Sequence, residues 1–264
     1  MAEQASGYNT IETSLVDGGT VLRILLNRPK GNILSGEMMG EIGAALAAHQ
    51  DERHLRLVLL RGAGGNFSFG ASVEEHRRDR APAMLQGFHR FIRQVASYPV
   101  PVAALVEGRC LGGAFELTLA CHLVFAGPDA RFGCPEIKLA VFPPVLAVAG
   151  AARLGGALAE HLLLTGDEID AATAERAHFV AAIFEGDVEE AFHTWYRARL
   201  LPLSACALRH AVRAARSGSP LAAALGEPLD AAERLYVDRV LASHDGNEGI
   251  EAFLARRPPA WRDE

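Results

Sequence analysis

Two glutamates in otherwise apolar segments are the residues of this chain best suited to acid–base chemistry. Glu116 lies in the segment FELTLAC, and Glu136 follows 20 residues later in FGCPEIKLAVF. Carboxylates are seldom buried without a partner. Two of them in apolar walls can share a water molecule, because their proximity raises one pKa and lets one group act as acid while the other acts as base. A helix N-terminal acid and a separate loop salt bridge also fit these two residues.

Two glycine-rich loops could hold the substrate group on which such a pair acts. Each follows an apolar run, with SFGA at 68–71 and LGGA at 111–114. The second loop leads into a helix, so its amides lie at the positive end of a helix dipole. Two backbone amides that converge on one oxygen form an oxyanion hole. Ordinary strand-to-helix turns are the alternative interpretation of both loops.

Neither glycine-rich segment matches a nucleotide-binding motif, because other residues stand at positions that the motif requires. The GxG at Gly62 has Phe67 in place of the third glycine of a dinucleotide fingerprint. The GxxxxG that starts at Gly108 is followed by Ala114 and Phe115, where a phosphate-binding loop has Lys and Ser or Thr. A GxSxG hydrolase elbow and cysteines at zinc-ligand spacing are both absent from the sequence.

Composition narrows the class of protein further. The formal net charge of -6 argues against a nucleic-acid partner. No apolar stretch reaches the ~20 residues of a membrane span, and the first residues lack the basic region of a signal peptide. The four cysteines are then expected to be reduced and mostly buried, in a cytoplasmic protein with no membrane association.

Strands that alternate with helices predict βαβ units and a largely parallel sheet. The expected order is a hairpin over 8–26, a helix capped by Ser35, strands at 55–60, 102–107 and 122–126, and helices at 81–98 and 113–120. Residues after Pro143 predict three to five helices. Their last apolar positions are expected to pack in part on a neighbouring subunit: Leu225, Leu229, Leu235, Val237, Val240 and Leu241.

Four ordered motifs resemble those of the crotonase superfamily and its enoyl-CoA hydratases. They are NRP at 27–29, FGAS at 69–72, LGGAFE at 111–116 and FGCPEI at 132–137, and the resemblance covers nearly the whole chain. It implies an α/β crotonase (ClpP-like) spiral of ββα units over residues 1–200. It also implies a helical oligomerisation region over 201–264, in a homotrimer or homohexamer.

The resemblance also assigns roles by position. The Ala71 and Gly113 amides would hold the thioester oxygen, and Glu116 and Glu136 would be the acid–base pair, with Glu116 activating water and Glu136 giving the proton to carbon. The residues alone do not decide which of the two glutamates is the base. Substrate-binding positions would be Gly70, Ser72, Val73, Glu74, Gly112, Phe142 and Pro143.

Coenzyme A enters as part of the substrate, and no metal or other cofactor is expected. Lys30 would contact the coenzyme. Arg209, Arg213 and Arg216 share a helical face that either meets CoA phosphates or is simply solvated. His76 and His122 are expected to be structural or exposed.

Two departures from the usual family pattern affect the choice of substrate. Ser72 replaces an Asp, and the bulky apolar run 141–147 replaces a glycine-rich stretch, which argues against a straight-chain acyl group. GASVEEH, PEIKLAVFPP and residues 242–257 resemble cyclohexa-1,5-diene-1-carbonyl-CoA hydratases of anaerobic benzoyl-CoA breakdown. The predicted product is 6-hydroxycyclohex-1-ene-1-carbonyl-CoA. A general enoyl-CoA hydratase, a ring-opening hydrolase and a non-catalytic scaffold are the alternatives.

Overall fold

The computed structural model describes residues 7–264, which form a mixed α/β fold. The strands are β1 (Ile11–Val16), β2 (Val21–Leu26), β3 (Leu57–Gly62), β4 (Val102–Val106), β5 (Arg109–Leu111), β6 (Leu123–Ala126), β7 (Arg131–Gly133), β8 (Glu168–Asp170) and β9 (Ala182–Ile183). Six of them form one sheet in the order β1-β2-β3-β4-β6-β9. Only the β1–β2 hairpin is antiparallel in that sheet, as the sequence predicts.

A second, three-stranded sheet, β5-β7-β8, stands beside the first. The glycine-rich pattern that starts at Gly108 predicts a loop and no strand, and this was wrong for the residues of β5. Strands of three residues are too short to show the alternation that identifies a strand. This sheet matters for the site, because β5 ends at Leu111 and β7 ends at Gly133, each next to a candidate functional loop.

The helices surround these sheets. They are α1 (Gly36–His49), α2 (Ala81–Ala96), α3 (Gly113–Ala120), α4 (Pro144–Leu154), α5 (Gly156–Thr165), α6 (Ala171–Arg176), α7 (Val188–Arg199), α8 (Ala205–Arg216), α9 (Pro220–Ala224), α10 (Glu227–Leu235) and α11 (His244–Leu254). Short 3₁₀ helices lie at Val73–His76 and Pro135–Leu139. A π-helical turn, Tyr236–Val240, follows α10 directly.

Local signals explain several of these boundaries. The predicted cap of α1 is confirmed, since Ser35 Oγ accepts a hydrogen bond from the Met38 amide at 3.3 Å. The strand predicted at 55–60 lies two residues later as β3. The count of three to five helices after Pro143 was wrong, because α4 to α11 are eight helices. Gly155 alone separates α4 from α5, and turns of two or three residues separate α8, α9 and α10, so the composition gives little sign of where one helix ends and the next begins.

The six-stranded sheet buries both of its faces. In β3, Val58 and Leu60 face one apolar core, and Leu57 and Leu59 face the other, as the two-residue period of a strand requires. The first core packs under α1, α2, α3 and the C-terminal helices. The second lies between the sheet and α7, with Phe192 at its centre. Burial on both faces accounts for the nearly continuous apolar run of this strand.

The C-terminal segment packs mainly on its own chain. Leu225, Leu229 and Leu241 are buried in the first core, and Val237 and Val240 pack against it. Of the six apolar positions that suggested a neighbouring subunit, Leu235 remains 53% exposed. Most of this apolar face is therefore explained without a partner, and the oligomerisation role of 201–264 stays a prediction.

Two further expectations concern the cysteines and the membrane. Cys110, Cys121 and Cys134 are buried, and Cys206 on α8 is exposed. Burial raises the pKa of Cys121 to about 12, and it raises the pKa of the Cys110 and Cys134 thiols well above the usual range. Over residues 7–264, none of the helices combines the length and apolar character needed to cross a bilayer.

Candidate active site

Glu116 is held at the start of α3 by the start of another helix. It lies in the first turn of α3 and is 3% exposed. Its Oε1 accepts hydrogen bonds from the backbone amides of Val145, at 2.7 Å, and Leu146, at 3.0 Å. These amides belong to the first turn of α4, where unpaired N–H groups and the helix dipole favour a negative charge. The sequence indicated a buried carboxylate here but not its partners.

Glu136 is held against the turn that precedes α3. It lies on the 3₁₀ helix Pro135–Leu139 and is half-buried. Gly112 has φ of 53°, and a Cβ there would lie 2.5 Å from Glu136 Oε1. Only glycine combines this backbone conformation with so close an approach. The other carboxylate oxygen, Oε2, is buried and has no hydrogen-bond partner among the described residues.

The two carboxyl groups interact and bind protons unusually tightly. Burial raises the pKa of Glu116 to about 7, although its hydrogen bonds from Leu146 and Val145 act in the opposite direction. Burial also raises the pKa of Glu136 to about 8, and the charge of Glu116 raises it further. Because Glu116 alone accepts two amide hydrogen bonds, it is the member that ionises more readily. A neutral Glu136 beside an ionised Glu116 is an acid and a base in one site.

The two predicted oxyanion loops are adjacent in space. A Cβ on Gly113 would lie 3.4 Å from Ala71 Cβ. A parallel bridge between Ser68 and Cys110 joins the loops just before these residues. Within residues 7–264, neither the Ala71 amide nor the Gly113 amide donates a hydrogen bond. Two neighbouring free amides can bind one oxygen that gains negative charge.

Gly70 explains how closely the loops pack. Its φ is 97°, and a Cβ there would lie 2.6 Å from the Leu111 carbonyl oxygen. The Gly70 amide donates to Ser68 Oγ at 3.0 Å, and the Gly70 carbonyl accepts from Leu34. The backbone just before Ala71 is therefore fixed by hydrogen bonds and close contact, which holds the free Ala71 amide in place.

A small cavity of about 70 Å³ adjoins these groups. Its walls are Phe69, Gly70, Ala71, Val73, His76, Gly112, Pro135, Glu136, Leu139 and Val141. Of the predicted site residues, Gly70, Ala71, Val73, Gly112 and Glu136 are thus brought together around one space. Ligand pockets for small molecules are usually ~300–1,000 Å³. This cavity is below that range.

Other predicted substrate-binding residues lie outside the walls of this cavity. Glu74 contacts Arg77 at 3.4 Å and Arg80 at 3.5 Å, so its carboxylate is held in a surface ion-pair cluster. The Ser72 carbonyl accepts a hydrogen bond from the ring of His76 at 2.8 Å. Pro143 is buried immediately before α4.

A separate open cleft lies next to the small cavity. It has a volume of about 420 Å³, and Lys30 lies in its wall together with Arg28 and Asn66. Phe69 lines both the cleft and the cavity. The cleft that holds the predicted coenzyme-binding Lys30 and the cavity that holds Glu136 are therefore neighbours on either side of one aromatic side chain.

The basic residues of α8 are only partly available to a phosphate. Arg209 donates to the backbone carbonyls of Gln50 and Glu52, at 2.8 and 2.6 Å. Arg216 donates to the carbonyls of Ala120 and Cys121, at 2.8 and 3.1 Å. These two side chains hold helix and loop ends of their own chain. Arg213 is exposed.

Two residues near the glutamate pair were not predicted as site residues. His76, expected to be structural or exposed, lines the cavity, and burial lowers the pKa of its imidazole. Tyr236 was not singled out at all, yet it packs against Phe142 with ring centroids 5.4 Å apart. No local pattern marks either residue, because tertiary packing alone brings them to the site. His122 behaves as expected, with Nδ1 accepting from the Val102 amide at 3.0 Å.

Comparison with protein families agrees with this geometry. The profile of the enoyl-CoA hydratase/isomerase family matches residues 17–264. A cyclohexa-1,5-dienecarbonyl-CoA hydratase from Thauera aromatica is 42% identical over 93% of this chain and 94% of its own. A 2,3-dehydroadipyl-CoA hydratase from Escherichia coli K12 is 30% identical over 92% of this chain and 95% of its own.

Solved structures give the same grouping. An enoyl-CoA hydratase from Mycobacterium avium subsp. paratuberculosis superposes with a TM-score of 0.81 at 28% identity. The match covers 97% of this chain and 100% of that one. An enoyl-CoA hydratase/isomerase from Xanthobacter autotrophicus has a TM-score of 0.79 at 28% identity, over 96% and 100% of the two chains.

Proposed function

The chain belongs to the enoyl-CoA hydratase/isomerase family, and from this membership we propose that it adds water to cyclohexa-1,5-diene-1-carbonyl-CoA, giving 6-hydroxycyclohex-1-ene-1-carbonyl-CoA. The fold is the crotonase fold, and the enzyme is a hydratase of CoA thioesters. The observation that supports a ring-shaped substrate is the 42% identity to the cyclohexa-1,5-dienecarbonyl-CoA hydratase from Thauera aromatica, over nearly the full length of both chains.

The proposed reaction begins with polarisation of the thioester. Its oxygen accepts hydrogen bonds from the Ala71 and Gly113 amides, which have no other acceptor among residues 7–264. Negative charge grows on this oxygen when a nucleophile adds to the conjugated system. Losing one such donor typically costs ~3–4 kcal/mol in the transition state.

The acid–base steps follow from the different proton affinities of the pair. Ionised Glu116 takes a proton from water as the water oxygen bonds to the β-carbon, which leaves a dienolate. Protonated Glu136 then gives its proton to the far end of the dienolate. The result is a net 1,4-addition of water. Oxidation state does not change overall, so the balance requires no redox cofactor.

A linear enoyl-CoA substrate is the second candidate. A relative at 30% identity is named for a linear dehydroadipyl thioester, and its match also spans nearly the whole chain. Against this stands the stiff apolar run of residues 141–144, of which Val141 lines the cavity. A bulky wall favours a compact ring over a flexible chain.

The test is a turnover assay with a panel of cyclic and linear enoyl-CoA thioesters. We expect cyclohexadienoyl-CoA to be preferred over crotonyl-CoA, and product analysis to find the ring and the thioester intact. Strong preference for crotonyl-CoA would overturn the ring substrate. Ring opening or loss of the thioester would overturn hydration.

Variants then test the two glutamates. Glu116→Gln and Glu136→Gln should each lower kcat by several orders of magnitude, since each removes one proton-transfer step. Glu160→Gln, at an exposed position on α5, is the matched control and should retain activity. Circular dichroism should confirm that all three variants fold. Near-normal turnover in either of the first two would remove that residue from the mechanism.

A further inference from the structure

Tyr236 is a buried polar residue that the mechanism above does not use. It is 1% exposed and begins the π-helical turn Tyr236–Val240. Its ring packs against Phe142, next to Val141 in the cavity wall. A π turn redirects side chains relative to a regular helix and is frequent at functional sites. The backbone here thus aims an aromatic side chain toward the wall of the active site.

The hydroxyl group of Tyr236 has no hydrogen-bond partner among the described residues. Two other tyrosines with buried rings are satisfied. The Tyr98 hydroxyl donates to the Leu46 carbonyl at 2.8 Å, and the Tyr196 hydroxyl donates to Thr20 Oγ1 at 2.7 Å. A buried tyrosine hydroxyl normally finds a partner, so an unpaired one marks a place where a ligand or water can bind.

The unpaired hydroxyl lies within electrostatic reach of both glutamates. Burial raises the pKa of Tyr236, and the charges of Glu136 and then Glu116 raise it further. The hydroxyl therefore keeps its proton near neutral pH and can donate a hydrogen bond. Glu136, which lines the cavity, has a second such atom, since its Oε2 is buried and has no partner among the described residues. One donor and one acceptor are thus left without a partner, and the Tyr236 ring adjoins the cavity wall through Phe142, the neighbour of Val141.

We propose that the Tyr236 hydroxyl is a third catalytic group of this site, which donates a hydrogen bond to the oxygen that water adds to the substrate. This inference rests on the proposed function. In the forward direction one lone pair of water attacks carbon, a second accepts from Tyr236, and the released proton goes to Glu116. Tyr236 neither gains nor loses a proton. In the product the same hydroxyl binds the new alcohol.

The first experiment compares Tyr236→Phe with Tyr98→Phe in the full chain. Tyr236→Phe keeps the ring and its packing, so kcat for cyclohexadienoyl-CoA should fall about 10- to 100-fold with KM nearly unchanged. Its Tm should not fall, because the lost hydroxyl bonds to nothing in the protein. Tyr98→Phe should give the reverse result, a lower Tm with kcat unchanged.

The second experiment separates this inference from the proposed function. Isothermal titration would measure binding of 6-hydroxycyclohex-1-ene-1-carbonyl-CoA and of cyclohex-1-ene-1-carbonyl-CoA, which lacks only the hydroxyl. The unchanged protein should bind the hydroxylated thioester several-fold more tightly, and Tyr236→Phe should bind both equally.

Each outcome has one meaning. If Tyr236→Phe has the same kcat as the wild type, or the same preference for the hydroxylated thioester, the proposed role of Tyr236 is wrong. The proposed hydration reaction is unaffected by that result. A hydroxyl preference that depends on Tyr236, in a protein that does not hydrate the diene, overturns the proposed reaction and supports the binding role. If neither thioester binds, both proposals are wrong.

Discussion

The proton affinities of Glu116 and Glu136 are set by what their oxygens contact. Glu116 accepts two amide hydrogen bonds from α4, whereas Glu136 Oε2 has no partner among the described residues. The pair therefore loses its first proton mainly from Glu116. Because the two groups interact, a titration reports apparent pKa values of the pair rather than of either residue.

Activity should depend on pH in a bell shape. The active form has one proton on the pair, so kcat/KM should rise with pH as the first proton leaves and fall as the second leaves. The pKa values of about 7 and about 8 place the maximum between them. A stopped assay from pH 5 to 10 measures this profile. A rate that is flat from pH 5 to 10 would contradict the pair as acid and base.

Stability should also depend on pH through Glu136. Its pKa rises from 4.5 in the unfolded chain to about 8 in the fold. The folded protein therefore holds a proton that the unfolded chain releases, and stability falls as pH rises between these values. Glu136→Gln cannot ionise, so its Tm relative to the wild type should increase from pH 5 to 8.5 in thermal denaturation.

Glu248→Gln is the matched control for that measurement. Hydrogen bonds from Arg257 and Ala260 lower the pKa of Glu248 to about 2, the opposite direction. Its contribution is fully present above pH 4.5 and is lost only as pH falls toward 2. The Tm difference of this variant should be negative and constant from pH 5.5 to 8.5. A constant difference for Glu136→Gln as well would exclude a raised pKa.

At this scale the sequence reveals acids but not their partners. Glu116 and Glu136 stand out because a carboxylate in an apolar segment is unusual. The amides of Val145 and Leu146 carry no side-chain signal, and Tyr236 lies 100 residues beyond Glu136. Their roles depend on how α4 and the π turn pack, which no local pattern encodes.

The turn at Gly112 joins β5 to α3 and sets the distance between the two functional loops. Gly112→Ala should destabilise the protein, since the φ of 53° disfavours any side chain. It should also lower kcat strongly, because the new Cβ would displace the Glu136 carboxylate. Gly18→Ala is the matched control, with φ of 70° and open space around its Cβ position.

We expect both glycine variants to lose stability in thermal denaturation, by about 1 kcal/mol or more. Turnover should fall in Gly112→Ala alone. Equal kcat in the two variants would mean that Glu136 moves aside without consequence for the reaction.

Sequence-based prediction works best for long elements. The hairpin, α1, α2 and β4 lie close to where periodicity places them. β5, β7 and β8 were missed because three residues carry no readable period. These short strands nevertheless place Gly112 beside Gly133, whose carbonyl accepts from the Gly112 amide at 2.8 Å.

At the scale of the molecule, the two faces of the large sheet have separate tasks. The candidate site is built from elements around the first core, whereas α7 covers the opposite face. Glu189 on α7 pairs with Arg23 at 2.6 Å and also with Arg61, which ties this helix to β2 and β3. Stability and catalysis should therefore be separable by mutation.

Glu189→Gln should lower stability by about 1–3 kcal/mol, because it removes the charged carboxylate that joins α7 to Arg23 on β2 and Arg61 on β3. Turnover of the folded protein should be unchanged. Urea denaturation and a kinetic assay measure the two effects. Glu190→Gln, which removes one exposed pair with Arg197, should change neither appreciably. Loss of turnover in folded Glu189→Gln would show that the faces are coupled.

The uneven burial of the four cysteines provides a chemical handle. Maleimides react with thiolates, and the buried thiols of Cys110, Cys121 and Cys134 are both enclosed and hard to ionise. Cys206 alone is exposed, on a helix outside the cavity walls. One fluorophore per chain should therefore attach at a known place without touching the acid–base pair. Energy transfer between such labels would count the copies in an assembly under the conditions of the activity assay.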